Sequence, residues 1–298
     1  MTRPFAIAVA PNGARRGKAD HPRLPLTLPE LVEAAAAAEA AGAAMLHLHV
    51  RDDRGAHVLD AGRYRAALSA LRAELGDRMI LQITTEAIGR YSAAEQIALV
   101  EAVRPDSVSL ALREIFPEGG DTAAPAALFR RMEDRDTLYQ IILYDTADLV
   151  RMEALQDRGL LPEGPLAILP VMGRYSGTGA GAAEFAAYLA AGITRHAFML
   201  CAFGPGEAGF MARGAAHGGH ARVGFENNLW LPDGSLAPDN AAIVAATARQ
   251  TAGRPLARAG DLRRLWRVPP GVIAADGSCG TETTTVRITK NVQQGEMT

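Results

Sequence analysis

The chain is poor in several things that would each have pointed to a different kind of protein. Cysteine occurs only at Cys201 and Cys279 among 298 residues. Two distant thiols make no disulfide framework, which fits a reducing, cytoplasmic setting. No apolar run approaches the roughly 20 residues of a membrane span, so a membrane protein is not expected. The opening MTRPFAIAVAPNG breaks at Pro11, Asn12 and Gly13, before the apolar region of a signal peptide would be complete. An excess of either charge is also missing. With 31 basic and 33 acidic residues the formal net charge is -2. Such a surface has no basic field for nucleic acid or anionic lipid, so the expected partner is a small molecule. Lysine is nearly absent (Lys18 and Lys290 alone), a compositional bias to which no function attaches.

What is present is a large apolar fraction in a regular rhythm. Hydrophobic residues make up 48% and charged residues 21%, ample for one large core or two ordinary ones. Apolar runs alternate with amphipathic segments: strands at FAIAVA (5–10), MLHLHV (45–50), MILQITTE (79–86), SVSLAL (107–112), TLYQIILY (137–144), LAILPVMG (166–173), HAFMLCAF (196–203) and HARVGFE (220–226). Helices are expected between them, the first ending on Gly42, the others at about 60–75, 92–103, 123–134, 146–159, 180–191 and 207–217, and a last one over 238–252. Eight strands alternating with eight helices over about 250 residues is the arithmetic of a (β/α)8 TIM barrel. A doubly wound open sheet is the rival, but it more often stops at five to seven strands and leads with a glycine-rich turn. Residues 1–253 are therefore assigned to a TIM-barrel catalytic domain, and 254–298 to a C-terminal helix and tail packed on the barrel or on a neighbouring subunit.

Against that frame HLHVRD, residues 47–52, is anomalous. In a strand His47 and His49 share a face. Facing inward at the carboxyl end of strand two, they would meet at the mouth where such barrels keep their active sites. Polar residues gather at the same end of other strands: Thr84, Thr85 and Glu86, then Arg113 and Glu114, Tyr144 and Asp145, Arg174 and Tyr175, Arg222 and Glu226. Two histidines and a carboxylate are a common catalytic zinc shell, and Glu226 is the natural third ligand because only strand one separates strand eight from strand two in a closed barrel. The set also suits Fe(II). The remaining histidines have plainer readings: His21 as a turn or lid residue, His57 and His196 as surface or strand-start residues, His217 and His220 as flanking a glycine pair, with His220 a minor candidate for the site. Glycines in GRYSGTGAG (173–181) suit either a phosphate cradle at a helix start or a loop.

The motifs PNGARRGKADHPRLP, AGAAMLHLHVRD, QITTEAIG and GGHARVGFENN resemble those of the β-keto acid cleavage enzymes, the group containing 3-keto-5-aminohexanoate cleavage enzyme, from Asn12 to about Ala252. The resemblance implies a TIM barrel in a homotetramer, one Zn2+ per subunit on His47, His49 and Glu226, and acetyl-CoA as co-substrate. It implies conversion of a β-keto acid and acetyl-CoA into acetoacetate and a new acyl-CoA. Two departures stand out. The residue after the glutamate ligand is an aspartate in the family, forming a base dyad with the arginine at Arg222, but here it is Asn227, and an amide cannot take a proton. Glu86, then Glu114, are the substitute bases. Where the aminohexanoate enzyme has a glutamate facing the substrate's ammonium, this chain has Arg15, which would repel an amine and favour a neutral or anionic tail. Thr84 corresponds to a substrate-contacting serine and offers the same hydroxyl. The alternatives carried forward are a metal-dependent hydrolase or aldolase without CoA, and a barrel that binds a keto acid without turning it over.

Overall fold

The computed structural model describes residues 3–175, 179–251 and 253–267. Eight parallel strands close in sequence order: β1 (Ile7–Val9), β2 (Met45–Leu48), β3 (Ile80–Thr84), β4 (Ser107–Ala111), β5 (Leu138–Leu143), β6 (Ala167–Met172), β7 (Ala197–Ala202) and β8 (His220–Val223). Closure is made where β1 pairs with both β2 and β8, Ala8 standing opposite Met45 on one side and Arg222 on the other. The expected barrel is therefore the observed fold. Among the described residues no helix is long and apolar enough to cross a membrane.

The helices follow from local capping chemistry. In α1 (Leu28–Ala40) Thr27 and Glu30 form a reciprocal capping box, with Pro29 in the first turn. In α3 (Ala93–Val103) Ser92 and Glu95 repeat the box. Asp60 caps α2 (Ala61–Leu75) and Asp145 caps α6 (Thr146–Asp157), each accepting from the backbone three residues on. The ring is completed by α5 (Ala123–Asp134), α7 (Ala182–Ala191), α8 (Glu207–Ala216) and α9 (Asn240–Ala248).

Several boundaries differ from expectation for identifiable reasons. Strand four does not run on to Leu112, because Leu112–Ile115 forms a single helical turn, α4, that redirects the chain. The last ring helix starts at Asn240 because Asp239 accepts from Ala242 N, and it stops at Ala248 rather than 252. Strand β8 ends at Val223. Gly224 follows with φ +130°, and a Cβ there would lie 2.7 Å from Ala10 O, so only glycine fits this turn. Glu226 consequently sits in the turn beyond the strand, its amide donating to Ala10 O.

Two apolar layers hold the barrel. The outer one packs strands against helices, with Phe5, Leu46, Tyr64, Phe129, Phe198 and Phe225 among its buried members. The inner one fills the barrel with Ala8, Met45, Ile80, Leu138, Leu169 and Met199, and Ala259 and Leu262 of the last helix, α10 (Ala259–Arg267), join it. The segment leading to α10 is pinned by Arg254, whose guanidinium donates to the carbonyls of Arg3, Pro4, Ala215 and Gly219, and by pairing of Leu256 with Phe5. Cutting away the fully buried Leu262 side chain should therefore cost barrel stability: Leu262→Ala is expected to lower the unfolding free energy by about 2–5 kcal/mol in urea denaturation.

His220, the minor candidate, lies at the start of β8, where its Nδ1 accepts from Ala6 N at 3.0 Å. It belongs to the structure, not to the mouth. Burial, then the cations Arg254 and Arg3, push its pKa down to about 3. The folded state thus keeps it neutral while the unfolded chain takes up a proton below the ordinary value of 6.5. Stability is full above pH 6.5 and is lost as pH falls from there toward 3. Denaturation midpoints of wild type and His220→Asn should therefore converge on acidification, and parallel pH profiles would contradict the assignment.

Candidate metal centre and active site

Hydrogen-bond partners fix the protonation pattern at the mouth of the barrel. His57 Nε2 lies 3.0 Å from Glu86 O, a group that only accepts, so Nε2 carries the proton and His57 Nδ1 is an acceptor. That nitrogen is 3.3 Å from His49 Nδ1, which must donate to it, leaving His49 Nε2 with a bare lone pair. His47 Nδ1 donates to Gln82 Oε1 at 2.9 Å, while Gln82 Nε2 donates onward to Gln140, so His47 Nε2 is bare as well. Both rings are held neutral, burial pushing their pKa values down to about 4 for His47 and about 3 for His49.

The two bare Nε2 atoms stand 3.2 Å apart. With no proton between them this approach is repulsive. Glu226 Oε2 lies 3.6 Å from one and 3.5 Å from the other, and it is buried without a hydrogen-bond partner. Its other oxygen accepts from Arg222 Nη2 at 2.9 Å. Burial opposes the charge on Glu226, but the Arg222 guanidinium holds its carboxyl well below the usual carboxylate range. Three lone pairs thus converge on one point, the condition a cation relieves. Donor atoms about 2.0–2.1 Å from a tetrahedral zinc are separated by about 3.3 Å, so this set fits one.

The rest of the sequence motifs build the frame of that point. Arg51 donates to the carbonyls of Asn12, Gly13 and Arg16, fastening the first loop. Asn12 Nδ2 donates to His49 O and Pro25 O. Gly13 takes φ +59°, and a Cβ there would stand 2.5 Å from Glu226 Cγ and 2.7 Å from Tyr175 Oη. Glycine is required for the loop to press against the ligand.

A cavity of about 750 Å³ opens over His47 and Glu226, lined also by Arg15, Thr84, Glu86 and Glu114. Thr84 Oγ1 accepts from Glu86 N at 3.1 Å, which leaves its hydroxyl proton free to donate. Burial, then the negative charges of Glu226 and Glu114, push the Glu86 carboxyl up to about 8. Glu114 is raised by burial and accepts from Ala87 N. Arg113 is neutralised by Asp145 and Asp148, and Arg174 by Glu184. Arg15 has no carboxylate partner among the described residues and lies over the Tyr175 ring at 5.3 Å. Arg222 lines the cavity, whereas Asn227 does not: it is fully buried behind Arg222.

Several expectations need correction. His57 is not a surface residue; it is 2% exposed and orients His49. His21 is no lid: it is buried, with Nε2 on Ala237 O and Nδ1 accepting from Arg23 N. Residues 176–178, at the heart of the glycine-rich stretch read as a phosphate cradle, lie outside the described residues. Sequence reasoning missed Gln82, although it stands opposite His47 in the ladder and a glutamine in a buried strand was a usable signal. It also missed Glu207, treated below.

The profile of the β-keto acid cleavage enzyme family matches residues 4–267. The chain belongs to this family. Among curated β-keto acid cleavage relatives, 3-oxoadipate:acetyl-CoA acetyltransferase of Cupriavidus necator is 32% identical over 90% of this chain and 96% of its own length. The 3-keto-5-aminohexanoate cleavage enzyme of Fusobacterium nucleatum is 27% identical over 89% of this chain and 98% of its own. A solved structure described as a binary complex of ObcA with oxaloacetate superposes with a TM-score of 0.64 at 17% identity, covering 83% of this chain and 68% of that one, a likeness of fold. Within this β-keto acid cleavage enzyme the partners of the ligands should matter nearly as much as the ligands. His57→Phe leaves His49 Nδ1 without its acceptor and is expected to weaken zinc binding by roughly 10- to 100-fold in calorimetric titration. Unchanged affinity would contradict the tautomer assignment.

Proposed function

We propose that the protein is a zinc-dependent acyl-transferring enzyme: a β-keto acid and acetyl-CoA give acetoacetate and the CoA ester of the remaining acyl part. The observation that carries this reading is the convergence of His47 Nε2, His49 Nε2 and Glu226 Oε2 beneath the cavity of a family member. Held by those three atoms, zinc would supply Lewis acidity to the keto acid, whose ketone and carboxylate flank the reacting carbon. Glu86 takes the proton from the carbon between them, with Glu114 the second candidate, because both carboxyls face the cavity and Asn227 can accept no proton. The resulting carbanion forms a bond to the acetyl carbonyl carbon, and CoA leaves as the thiolate. The thiolate then adds to the original ketone carbon, the bond between that carbon and the new acetoacetate breaks, and acetoacetate takes up the proton. Thr84 donates its hydroxyl to a substrate oxygen, and Arg222 steadies Glu226 throughout.

Arg15 selects the tail. An exposed cation with no carboxylate partner among the described residues repels an ammonium group and attracts a second carboxylate. The Cupriavidus relative, whose name specifies the dicarboxylate 3-oxoadipate, supports a dicarboxylic substrate here. The same reading makes residues 1–253 the TIM-barrel catalytic domain and 254–298 a C-terminal helix and tail packed on the barrel or on a neighbouring subunit, in a cytoplasmic homotetramer.

Steady-state assays of acetoacetate formation with aminated, aliphatic and dicarboxylic β-keto acids check this. Turnover should require acetyl-CoA and be greatest with the dicarboxylate, and Arg15→Glu should lower kcat/KM for that substrate by about tenfold or more, equivalent to about 1.4 kcal/mol. Turnover without acetyl-CoA, or preference for the amine, would overturn the reading.

A further inference from the structure

One ionisable side chain in the barrel wall has no part in the site so far. Glu207, the first residue of α8, is 1% exposed and stands off the cavity. Its Oε1 accepts from Asn227 Nδ2 at 3.4 Å and its Oε2 from Asn228 Nδ2 at 3.2 Å. No salt bridge reaches it among the described residues; burial pushes its pKa up to about 8, against the donors Asn228, Asn227 and Gly224 N and the cation Arg16, whose guanidinium donates to Phe225 O and Asn227 O. A carboxyl buried on neutral donors alone is costly to ionise.

Asn227 depends on this carboxyl. Both hydrogens of its Nδ2 are used, one by Glu207 and one by Arg222 O at 3.1 Å. Its Oδ1 accepts from Arg222 Nη2 at 3.4 Å and from Cys201 Sγ at 3.3 Å. The same Nη2 donates to Glu226 at 2.9 Å. Glu207, Asn227, Arg222 and Glu226 thus form one directed chain from α8 to the metal point. The two ends of an amide have nearly the same shape but opposite hydrogen-bonding character. Turned end for end, Asn227 would set a donor against the guanidinium and an oxygen against Glu207. Once ionised, above about pH 8, the carboxylate at 207 only accepts and forbids that turn, whereas a glutamine does not.

We propose that Glu207 is a positioning residue for the acyl-transfer reaction: its carboxylate fixes Asn227 with the oxygen toward Arg222, and so holds Arg222 against Glu226. The proposal rests on the reaction assigned above. The chain persists with carboxylate and amide exchanged, because an aspartate at 227 would face Arg222 Nη2 directly and a glutamine at 207 would donate to it, at the loss of the bond that Asn227 Nδ2 gives to Arg222 O.

That exchange is the test. Glu207→Gln, Asn227→Asp and the double variant are compared with wild type in acetyl-CoA-dependent acetoacetate formation. Glu207→Gln should lose roughly 10- to 100-fold in kcat with KM nearly unchanged, the loss typical when a partner that orients a ligand is removed. Glu207→Gln should lower kcat in the Asn227 background and raise it in the Asn227→Asp background, a reversal that neither a space-filling role nor a base introduced at 227 would produce. A Glu207→Gln enzyme with wild-type kcat, or a folded double variant no more active than Asn227→Asp, would overturn the proposal. The same four proteins are unfolded in urea without metal. Asn227→Asp alone places two carboxyls in contact and should destabilise, and the double variant should be more stable than the sum of the single effects predicts. If wild type turns over none of the keto acids, the assigned reaction fails, and the urea cycle still decides on Glu207: additive effects would refute the chain.

Discussion

Everything at the mouth of this barrel follows from three lone pairs meeting at one buried point. Two imidazoles 3.2 Å apart, neither with a proton to share, and an unpartnered carboxylate oxygen repel one another unless a cation lies between them. The surroundings keep that arrangement from relaxing. His57 and Gln82 each hold the far nitrogen of a ligand ring, so neither ring can switch tautomer without losing a hydrogen bond. Arg222 keeps Glu226 ionised, and Gly13 gives its Cγ the room a side chain would take. The fold accordingly carries a local electrostatic cost whose return is a pre-formed ligand set, a familiar division of labour between scaffold and site.

The barrel itself was legible because its signals are local and repeated. Thr27 with Glu30, Ser92 with Glu95, and the aspartates at 60 and 145 mark helix starts by chemistry that needs no tertiary partner. Strand ends were less legible: β8 stops three residues before Glu226 because the Gly224 turn packs on Ala10, a contact between the first and last strands that no local pattern reveals. The four-residue helix after β4 was hidden for a similar reason, since LREI reads equally well as the end of a strand.

The shared face of His47 and His49 was legible and its supports were not. Histidines spaced by two in a strand announce a shared face, whereas His57 reaches His49 only because the turn over 52–56 folds back on the strand, with Asp52 N donating to Ala56 O. Glu207 looks like an ordinary acidic residue in a helix's first turn, and only the closed barrel shows that its carboxylate meets Asn227. The Arg51 of HLHVRD ties down the first loop through three carbonyls. Around the three converging atoms stand Arg15 on the rim of the cavity and Asn227 buried behind Arg222.

The most direct test of this account is the zinc absorption edge fine structure of the metal-loaded protein, with His49→Ala for comparison. The account predicts one zinc bound by two imidazole nitrogens and one carboxylate oxygen at about 2.0–2.2 Å, with one imidazole lost in the variant. A zinc shell without imidazole, or one that is the same in both proteins, would contradict it.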